Sequence, residues 1–160
     1  MKIRKAHPED DKALLEIDFA TWTSVVSPAP APTREDRKQF FTEARPPDTY
    51  LVADLDGMVG GYVELHQSIP LASHEHVLEI NGLAVAPAAQ GKGVGKALVE
   101  GAVEEATRRG AKKVTLRVLG ENEVARRLYE RCGFVVEGVL REEFHLNNAY
   151  VDDVLMAHRL

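Results

Sequence analysis

GLAVAPAAQGKGVGKALVEGA, residues 82–102, joins an apolar run to a run with helical spacing through a loop with three glycines. A strand that passes through such a loop directly into a helix presents successive backbone N–H groups at the helix N-terminus. Glycine lets a ligand approach this backbone closely, and the helix end favours negative charge. The stretch therefore predicts a site for an anion such as a phosphate group.

Three phosphate-binding patterns compete for this loop. A Walker loop requires GxxxxGK[ST], but Gly91 and Lys96 are wrongly spaced and Ala97 replaces the hydroxyl that would hold magnesium. The dinucleotide pattern GxGxxG fails because Lys96 stands where its last glycine belongs. The pattern Q/R-x-x-G-x-G/A is met, and its positions are Gln90, Gly91, Lys92, Gly93, Val94 and Gly95. The alternative is a tight strand-to-helix turn that binds nothing.

Bulk properties indicate a single domain over residues 1–160. Hydrophobic residues make up 44% and charged residues 28%, as in ordinary soluble proteins. The net charge of -5 argues against a nucleic-acid surface. Cys132 is the only cysteine, so no internal disulfide is expected. No apolar run approaches the length of a signal core or a membrane span, and we expect a cytoplasmic protein without a membrane partner.

The hydrophobic pattern predicts the element order β-α-α-β-β-β-α-β-α-β-β. The second helix would run from Thr33 to about Glu43, with Thr33 as its N-cap. The glycine-loop helix would run from Val94 to Arg109, and the two last strands would meet at an Asn147-Asn148 turn. The segment from Glu79 to Val118 would be a parallel strand-helix-strand crossover. The prediction is an α/β (α+β) fold with a mixed, mostly antiparallel central sheet flanked by helices.

Two motifs, LEINGLAVAPAAQGKGVGKAL and ENEVARRLYERCGFVVEG, resemble those of the GCN5-related N-acetyltransferase (GNAT) superfamily, and the element order fits that fold over essentially the whole chain. The resemblance implies an N-acetyltransferase with acetyl-CoA as co-substrate and no metal. It implies that the backbone amides of Gln90–Gly95 hold the pyrophosphate. It also implies that the strand Leu83, Ala84 and Val85 lends backbone groups to the pantetheine arm and splays from its parallel neighbour, with the thioester in the gap.

Tyr129 is the predicted acid that protonates the departing thiolate, because a phenol pKa of about 10 lies above a thiol pKa of about 8.5. Asn122 and Tyr129 are seven residues apart, or about two helical turns, and so share a face with Ala125. The resemblance implies that this face meets the cofactor, whereas the alternatives are a core tyrosine and an N-cap asparagine. Lys92 and Lys96 are suited to meet phosphates.

Glu79 is the predicted base, because two-residue alternation would place Glu79, Asn81 and Leu83 on one face of the strand. Glu64 and His66, on the preceding strand, are rivals for this role. Cys132 lies at a helix C-terminus, where a thiolate is disfavoured, so direct attack in a ternary complex is the simpler mechanism. The histidines of residues 66–76 have no metal-binding spacing.

The acceptor is expected between residues 22–33, residues 67–75 and the final hairpin, with Trp22 and Tyr150 as aromatic walls. Acidic candidates to attract an amine are Glu64, Asp152 and Asp153. The hypothesis is acetyl transfer to a small amine, an amino acid or a peptide N-terminus. The alternatives are a non-catalytic acyl-CoA-binding module and a protein-modifying acetyltransferase. A long final strand with an exposed edge suggests a homodimer.

Overall fold

The computed structural model describes all residues, 1–160, as one seven-stranded sheet flanked by three α-helices. The strands are β1 (Lys2–Lys5), β2 (Tyr50–Leu55), β3 (Met58–His66), β4 (Val77–Val85), β5 (Lys113–Leu119), β6 (Val135–Leu146) and β7 (Ala149–Arg159). The helices are α1 (Asp11–Thr21), α2 (Val94–Arg108) and α3 (Glu123–Arg131). None of them combines the length and apolar character needed to cross a membrane.

The strand order is β1-β2-β3-β4-β5-β7-β6, and every pair is antiparallel except β4 and β5. The predicted mixed, mostly antiparallel sheet and its parallel crossover through α2 are therefore confirmed. Pairing between β4 and β5 extends only from Val77 to Ile80 on β4. Beyond Ile80, β4 is hydrogen-bonded to β3 alone, so the two parallel strands separate in the middle of the sheet.

Hydrophobic cores lie on the two faces of the sheet. The larger core holds α2 and α3, and α2 contributes buried residues at helical spacing, among them Val94, Leu98 and Ala102. The smaller core holds α1 with the aromatic side chains of Phe40, Tyr50, Tyr62 and their neighbours. The sheet thus separates α1 on one face from α2 and α3 on the other.

The predicted helix from Thr33 to Glu43 is wrong, and this segment forms only turns. Its first turn does begin as predicted, because Asp36 donates its N–H to Thr33 Oγ1 at 3.1 Å. The helix does not continue, because the N–H groups of Phe40 and Phe41 donate to the side chain of Asp11 at the start of α1. Burial of Phe40 in the smaller core thus overrides the local helical preference.

The prediction of an exposed final strand is also wrong. The chain reverses at Asn147 and Asn148, which both have positive φ, and β7 inserts between β5 and β6. This turn fits the right-handed twist of the hairpin, for which asparagine at positive φ is favoured. The exposed edge therefore belongs to β6, the strand before it.

Candidate active site

The glycine loop between β4 and α2 has a backbone that is open to a ligand. Gly91 and Gly93 have φ of 73° and 79°, in the left-handed region that side chains disfavour. Ala97 donates to the Gly93 carbonyl, but the N–H groups from Gly91 to Lys96 have no backbone acceptor. A Cβ at Gly91 or Gly93 would meet no atom within 4 Å, so the loop is open at these two residues.

Neighbouring side chains fix this loop in place. Gln90 Nε2 donates to the carbonyl oxygen of Val85 at 3.2 Å and ties the loop back to β4. A Cβ at Gly95 would lie 3.2 Å from Leu128, so glycine allows α2 to approach α3 closely. Lys92 is exposed, and Lys96 lies 3.3 Å from Glu100 one turn further along the helix. Both cations stand at a helix N-terminus, where they are unfavourable unless an anion is present.

A cavity of about 590 Å³ lies on the α1 face of the sheet, next to the point where β4 and β5 separate. Its floor is formed by residues of β3 and β4, and its walls by the segments before β2 and by the ends of β5, β6 and β7. The charged lining residues are Asp18, Glu64, Asp153, Arg37, Arg45 and Arg117. The aromatic lining residues are Trp22, Phe40, Tyr50, Tyr62 and Phe144.

Glu64 on β3 is one of three carboxylates that line this cavity, and only 4% of the residue is exposed. Its Oε2 accepts a hydrogen bond from Asn81 Nδ2 at 3.2 Å. Its Oε1 lies 3.8 Å from Arg45 Nε and 3.8 Å from His66 Nδ1. The carboxylate thus has spare hydrogen-bonding capacity and a loosely placed cation beside it.

Glu79 lies outside the residues that line the cavity. The expectation that Glu79, Asn81 and Leu83 share a face is wrong, because Glu64 pairs with Gly82 while Leu65 pairs with Ile80. Asn81 is therefore the extra residue of a β-bulge, and two-residue alternation ends there. Leu83 consequently packs against the larger core on the opposite face.

The other two carboxylates of the cavity are already held by strong partners. Asp18 accepts from the Tyr62 hydroxyl at 2.6 Å and from the guanidinium of Arg37. Burial, with the neighbouring Asp18 charge, raises the pKa of Tyr62 well above its usual value, so this hydroxyl remains a donor. Asp153 is 2% exposed and accepts from Arg117 Nε at 2.6 Å.

Tyr129 lies on α3, buried in the larger core, with its ring 5.9 Å from that of Phe134. Burial raises the pKa of the Tyr129 hydroxyl well above its usual value. Tyr129 does not line the cavity of about 590 Å³ on the α1 face. Asn122 is the N-cap of α3, because its Oδ1 accepts from the N–H of Ala125 at 3.1 Å. Burial, with the nearby charge of Glu100, raises the pKa of Cys132 and disfavours its thiolate.

Some of the residues that were predicted to line the acceptor site do line the cavity, and others lie elsewhere. Trp22 and the proline-rich loop after it line the cavity, as do Phe144 and Asp153 of the final hairpin. Residues 67–75 contribute nothing to the lining. Tyr150 is 67% exposed elsewhere, and Asp152 is hydrogen-bonded to Arg141 away from the cavity. No group of three or more potential ligands in the structure could hold a metal ion.

The arginines of the cavity and Asp18 were not predicted from the sequence as site residues. Arg37 lies in the segment that was expected to be helical and Arg45 just after it, and no short motif marks either residue. Their role at the cavity depends on Phe40, which anchors this segment in the smaller core. Tyr50 and Tyr62 were not predicted as site residues either, because they lie within largely apolar strands and no short motif marks them. The available signal was the alternation of apolar and polar residues from Tyr62 to His66 at the end of β3.

Comparison with known proteins assigns this architecture to a family. Residues 12–134 match the profile of the "Acetyltransferase (GNAT) family". A 5-NmdU N-acetyltransferase of Pseudomonas phage PaMx11 is 32% identical over 138 residues, which are 85% of this chain and 88% of that protein. A putative acetyltransferase of Salmonella typhimurium, solved with acetyl-CoA, has the same fold, with a TM-score of 0.81, 22% identity and coverage of 100% of this chain and 94% of that chain.

The chain therefore belongs to the acetyltransferase (GNAT) family. Some other curated relatives are matched over a smaller part of their length. A spermidine N(1)-acetyltransferase of Vibrio cholerae is 45% identical over 69 residues, which are 42% of this chain and 40% of that protein. The named acceptors of these relatives differ from one another, so the comparisons indicate the reaction rather than the acceptor.

Proposed function

We propose that this chain is an acetyl-CoA-dependent N-acetyltransferase that acetylates a primary amine by direct attack in a ternary complex. The observation that carries the proposal is the row of N–H groups from Gly91 to Lys96 that lack backbone acceptors, in a loop that is open at Gly91 and Gly93. Such a row suits the pyrophosphate of coenzyme A, with Lys92 and Lys96 as nearby cations. The separation of β4 from β5 leaves Leu83, Ala84 and Val85 without a strand partner on the β5 side, and we propose that this side of β4 meets the pantetheine arm.

Acetyl-CoA would supply the acetyl group as a thioester. In the transfer, a bond forms between the amine nitrogen and the carbonyl carbon, and the bond between that carbon and sulfur breaks. The nitrogen loses a proton and the sulfur gains one. The chain must therefore provide a proton acceptor on the amine side and a proton donor on the thiol side.

For the proton acceptor, we favour Glu64 over Glu79. Glu64 lines the cavity beside the gap between β4 and β5, whereas Glu79 does not. A buried carboxylate with one hydrogen bond can hold an ammonium group and accept its proton as attack begins. Glu79 and His66 remain the competing hypotheses for this role.

For the proton donor, we favour Tyr129. Its raised pKa keeps the hydroxyl protonated at every pH at which the enzyme would work. Asn122 and Ala125 precede it on α3, and the first turn of this helix begins near the end of β5. Burial disfavours the phenolate, so the hydroxyl stays protonated and can donate its hydrogen to a departing thiolate.

The proposal is tested by measuring thiol release from acetyl-CoA with a panel of amines, and acetyl-CoA binding by calorimetry. Gly93→Ala should weaken acetyl-CoA binding about tenfold, because a side chain at φ 79° forces the loop to reorient its N–H groups. Gly57→Ala is the matched control, since Gly57 has φ of 92° in the β2–β3 turn and equally free surroundings. Equal binding by both variants would contradict the assignment of the loop.

The outcome with the wild-type chain separates the competing functions. Thiol release with small amines supports the proposal. Release with peptides alone would indicate a protein-modifying acetyltransferase instead. Saturable acetyl-CoA binding without release from any amine would indicate the non-catalytic acyl-CoA-binding module, and absence of binding would remove the proposal altogether.

A further inference from the structure

The charges of the acceptor cavity are arranged to recognise more than an amine. We propose that the acceptor is a free α-amino acid, whose carboxylate binds Arg45 while its amino group binds Glu64; this inference rests on the proposed function of the same site. The cavity is lined by three carboxylates and three guanidinium groups, so its formal charges balance. A balanced lining suits a zwitterion better than a polycation.

Arg45 differs from the other two arginines of the cavity in having no carboxylate hydrogen-bonded to its guanidinium. Arg37 is hydrogen-bonded to Asp18, and Arg117 is hydrogen-bonded to Asp153. The side chain of Arg45 makes no hydrogen bond and is 54% exposed, and its nearest anion is the Glu64 carboxylate at 3.8 Å. A guanidinium has five N–H donors in a fork that matches a carboxylate. Arg45 is therefore the cavity cation that is available to an anionic group.

The position of Arg45 is fixed by its backbone rather than by its side chain. Thr42 and Arg45 form an isolated antiparallel bridge, with N–H···O distances of 3.2 Å and 3.1 Å in the two directions. Phe40 and Phe41 anchor the chain just before this turn, because both donate to Asp11 and Phe40 is buried. The guanidinium is thus held at the cavity wall while its donors stay free.

The distance between Glu64 and Arg45 matches the chemistry of an α-amino acid. The amino and carboxylate groups of such a molecule are attached to one carbon, so they require an anion and a cation that are adjacent. Glu64 Oε1 and Arg45 Nε are adjacent, at 3.8 Å, without a hydrogen bond between them. A bound amino acid would bridge them from the cavity side, with its amino group on Glu64 and its carboxylate on Arg45. A polyamine would satisfy Glu64 but bring a second positive charge toward Arg45.

The remaining cavity gives room for the side chain of the amino acid. Its volume of about 590 Å³ exceeds the needs of an amino and a carboxylate group alone. Trp22, Phe40 and Phe144 line it, together with the prolines at positions 28, 30 and 32. These walls are apolar and aromatic, so an amino acid with a sizeable apolar part would fill the cavity best.

The test compares each L-α-amino acid with its own α-amide, which keeps the amine and side chain but removes the negative charge. Binding to the full chain saturated with coenzyme A is measured by calorimetry, and kcat/KM by thiol release from acetyl-CoA. The variants are Arg45→Gln and, as a control, Arg34→Gln. Arg34 is 66% exposed, pairs with Glu16 on the surface and does not line the cavity.

We expect the amino acid to bind about 10- to 100-fold more tightly than its amide, since a charge-assisted bidentate pair is lost in the amide. Arg45→Gln should remove most of this preference through KM and leave acetyl-CoA binding unchanged, and Arg34→Gln should keep it. Equal binding of acid and amide, tighter binding of polyamines, or no binding of any amino acid would overturn the inference. The binding measurement is decisive even if no amine gives turnover, and that failure would count against the proposed function alone.

Discussion

At the scale of single residues, Tyr129 and Tyr150 differ in their burial, which affects the pKa of a tyrosine hydroxyl. Tyr129 is 7% exposed in the larger core, and burial raises its pKa, whereas Tyr150 is 67% exposed at the sheet surface. A folded-state pKa above the ordinary value means that Tyr129 keeps its proton as the pH rises through about 10. Its hydroxyl is therefore a donor over the whole range in which a thiolate needs one.

Tyr129→Phe should lower kcat by about 10- to 100-fold, because removal of one general acid removes one proton transfer from the transition state. The affinity for acetyl-CoA should change little, since the ring and its contact with Phe134 are kept. Steady-state kinetics and calorimetry with the same preparations measure the two quantities. Tyr150→Phe is the control and should match the wild type. Unchanged kcat in Tyr129→Phe would take Tyr129 out of the acid role.

The β-bulge in β4 shows, at the element scale, why the base could not be assigned from the sequence. Alternation along a strand predicts which residues share a face only while the register is continuous. One extra residue, Asn81, reverses the alternation beyond it and brings Asn81 within 3.2 Å of Glu64. No residue type in β4 predicts this bulge from the sequence. The face that meets the cavity is consequently a property of the paired strands rather than of β4 alone.

Because of the bulge, we expect Glu64 on β3 and Glu79 on β4 to differ in their effect on catalysis. Glu64→Gln should lower kcat/KM about 100-fold or more, because an amide cannot accept the proton and leaves Arg45 without its anion. Glu79→Gln should lower it less than about threefold, because Glu79 does not line the cavity. Thiol release under matched acetyl-CoA saturation gives both values, and thermal unfolding checks that both variants are folded. A larger effect from Glu79→Gln would restore Glu79 as the base.

Elements whose signal is local were predictable, and elements set by tertiary contacts were not. The loop from Gln90 to Gly95 was located because its glycines, its strand and its helix are adjacent in the sequence. The N-cap at Asn122 was recognisable for the same reason. The segment from Thr33 to Glu43 has a helix-start signal, yet the side chain of Asp11 captures the N–H groups that a helix would need. That competition involves residues about thirty positions apart.

The charged residues of the acceptor cavity, at the scale of the whole molecule, come from five separate parts of the chain. Asp18, Arg45, Glu64, Arg117 and Asp153 come from α1, the segment before β2, and strands β3, β5 and β7. The sequence could indicate a donor site, which is continuous, but it could not bring these residues together. The class of acceptor can therefore be inferred only from the folded chain.

The free edge of the sheet also belongs to the whole molecule. Strand β6 pairs with β7 on one side only, with two register shifts along its twelve residues. Val136, Val139 and Tyr150 form an exposed apolar surface beside this edge. The other edge strand, β1, has four residues. An unpaired edge can pair antiparallel with its own copy across a two-fold axis, which hides its N–H and C=O groups.

We expect a homodimer that forms through β6, with a mass in solution of twice the 17.7 kDa of one chain. Val136→Lys combined with Val139→Lys should shift it to the monomer, because two buried ammonium groups per chain would lack partners in the interface. Sedimentation equilibrium over a range of concentrations measures the change. Met58→Lys is the control, since Met58 is 70% exposed in the β2–β3 turn and far from β6 in the sheet order. A wild-type mass of one chain at every concentration would contradict pairing through β6.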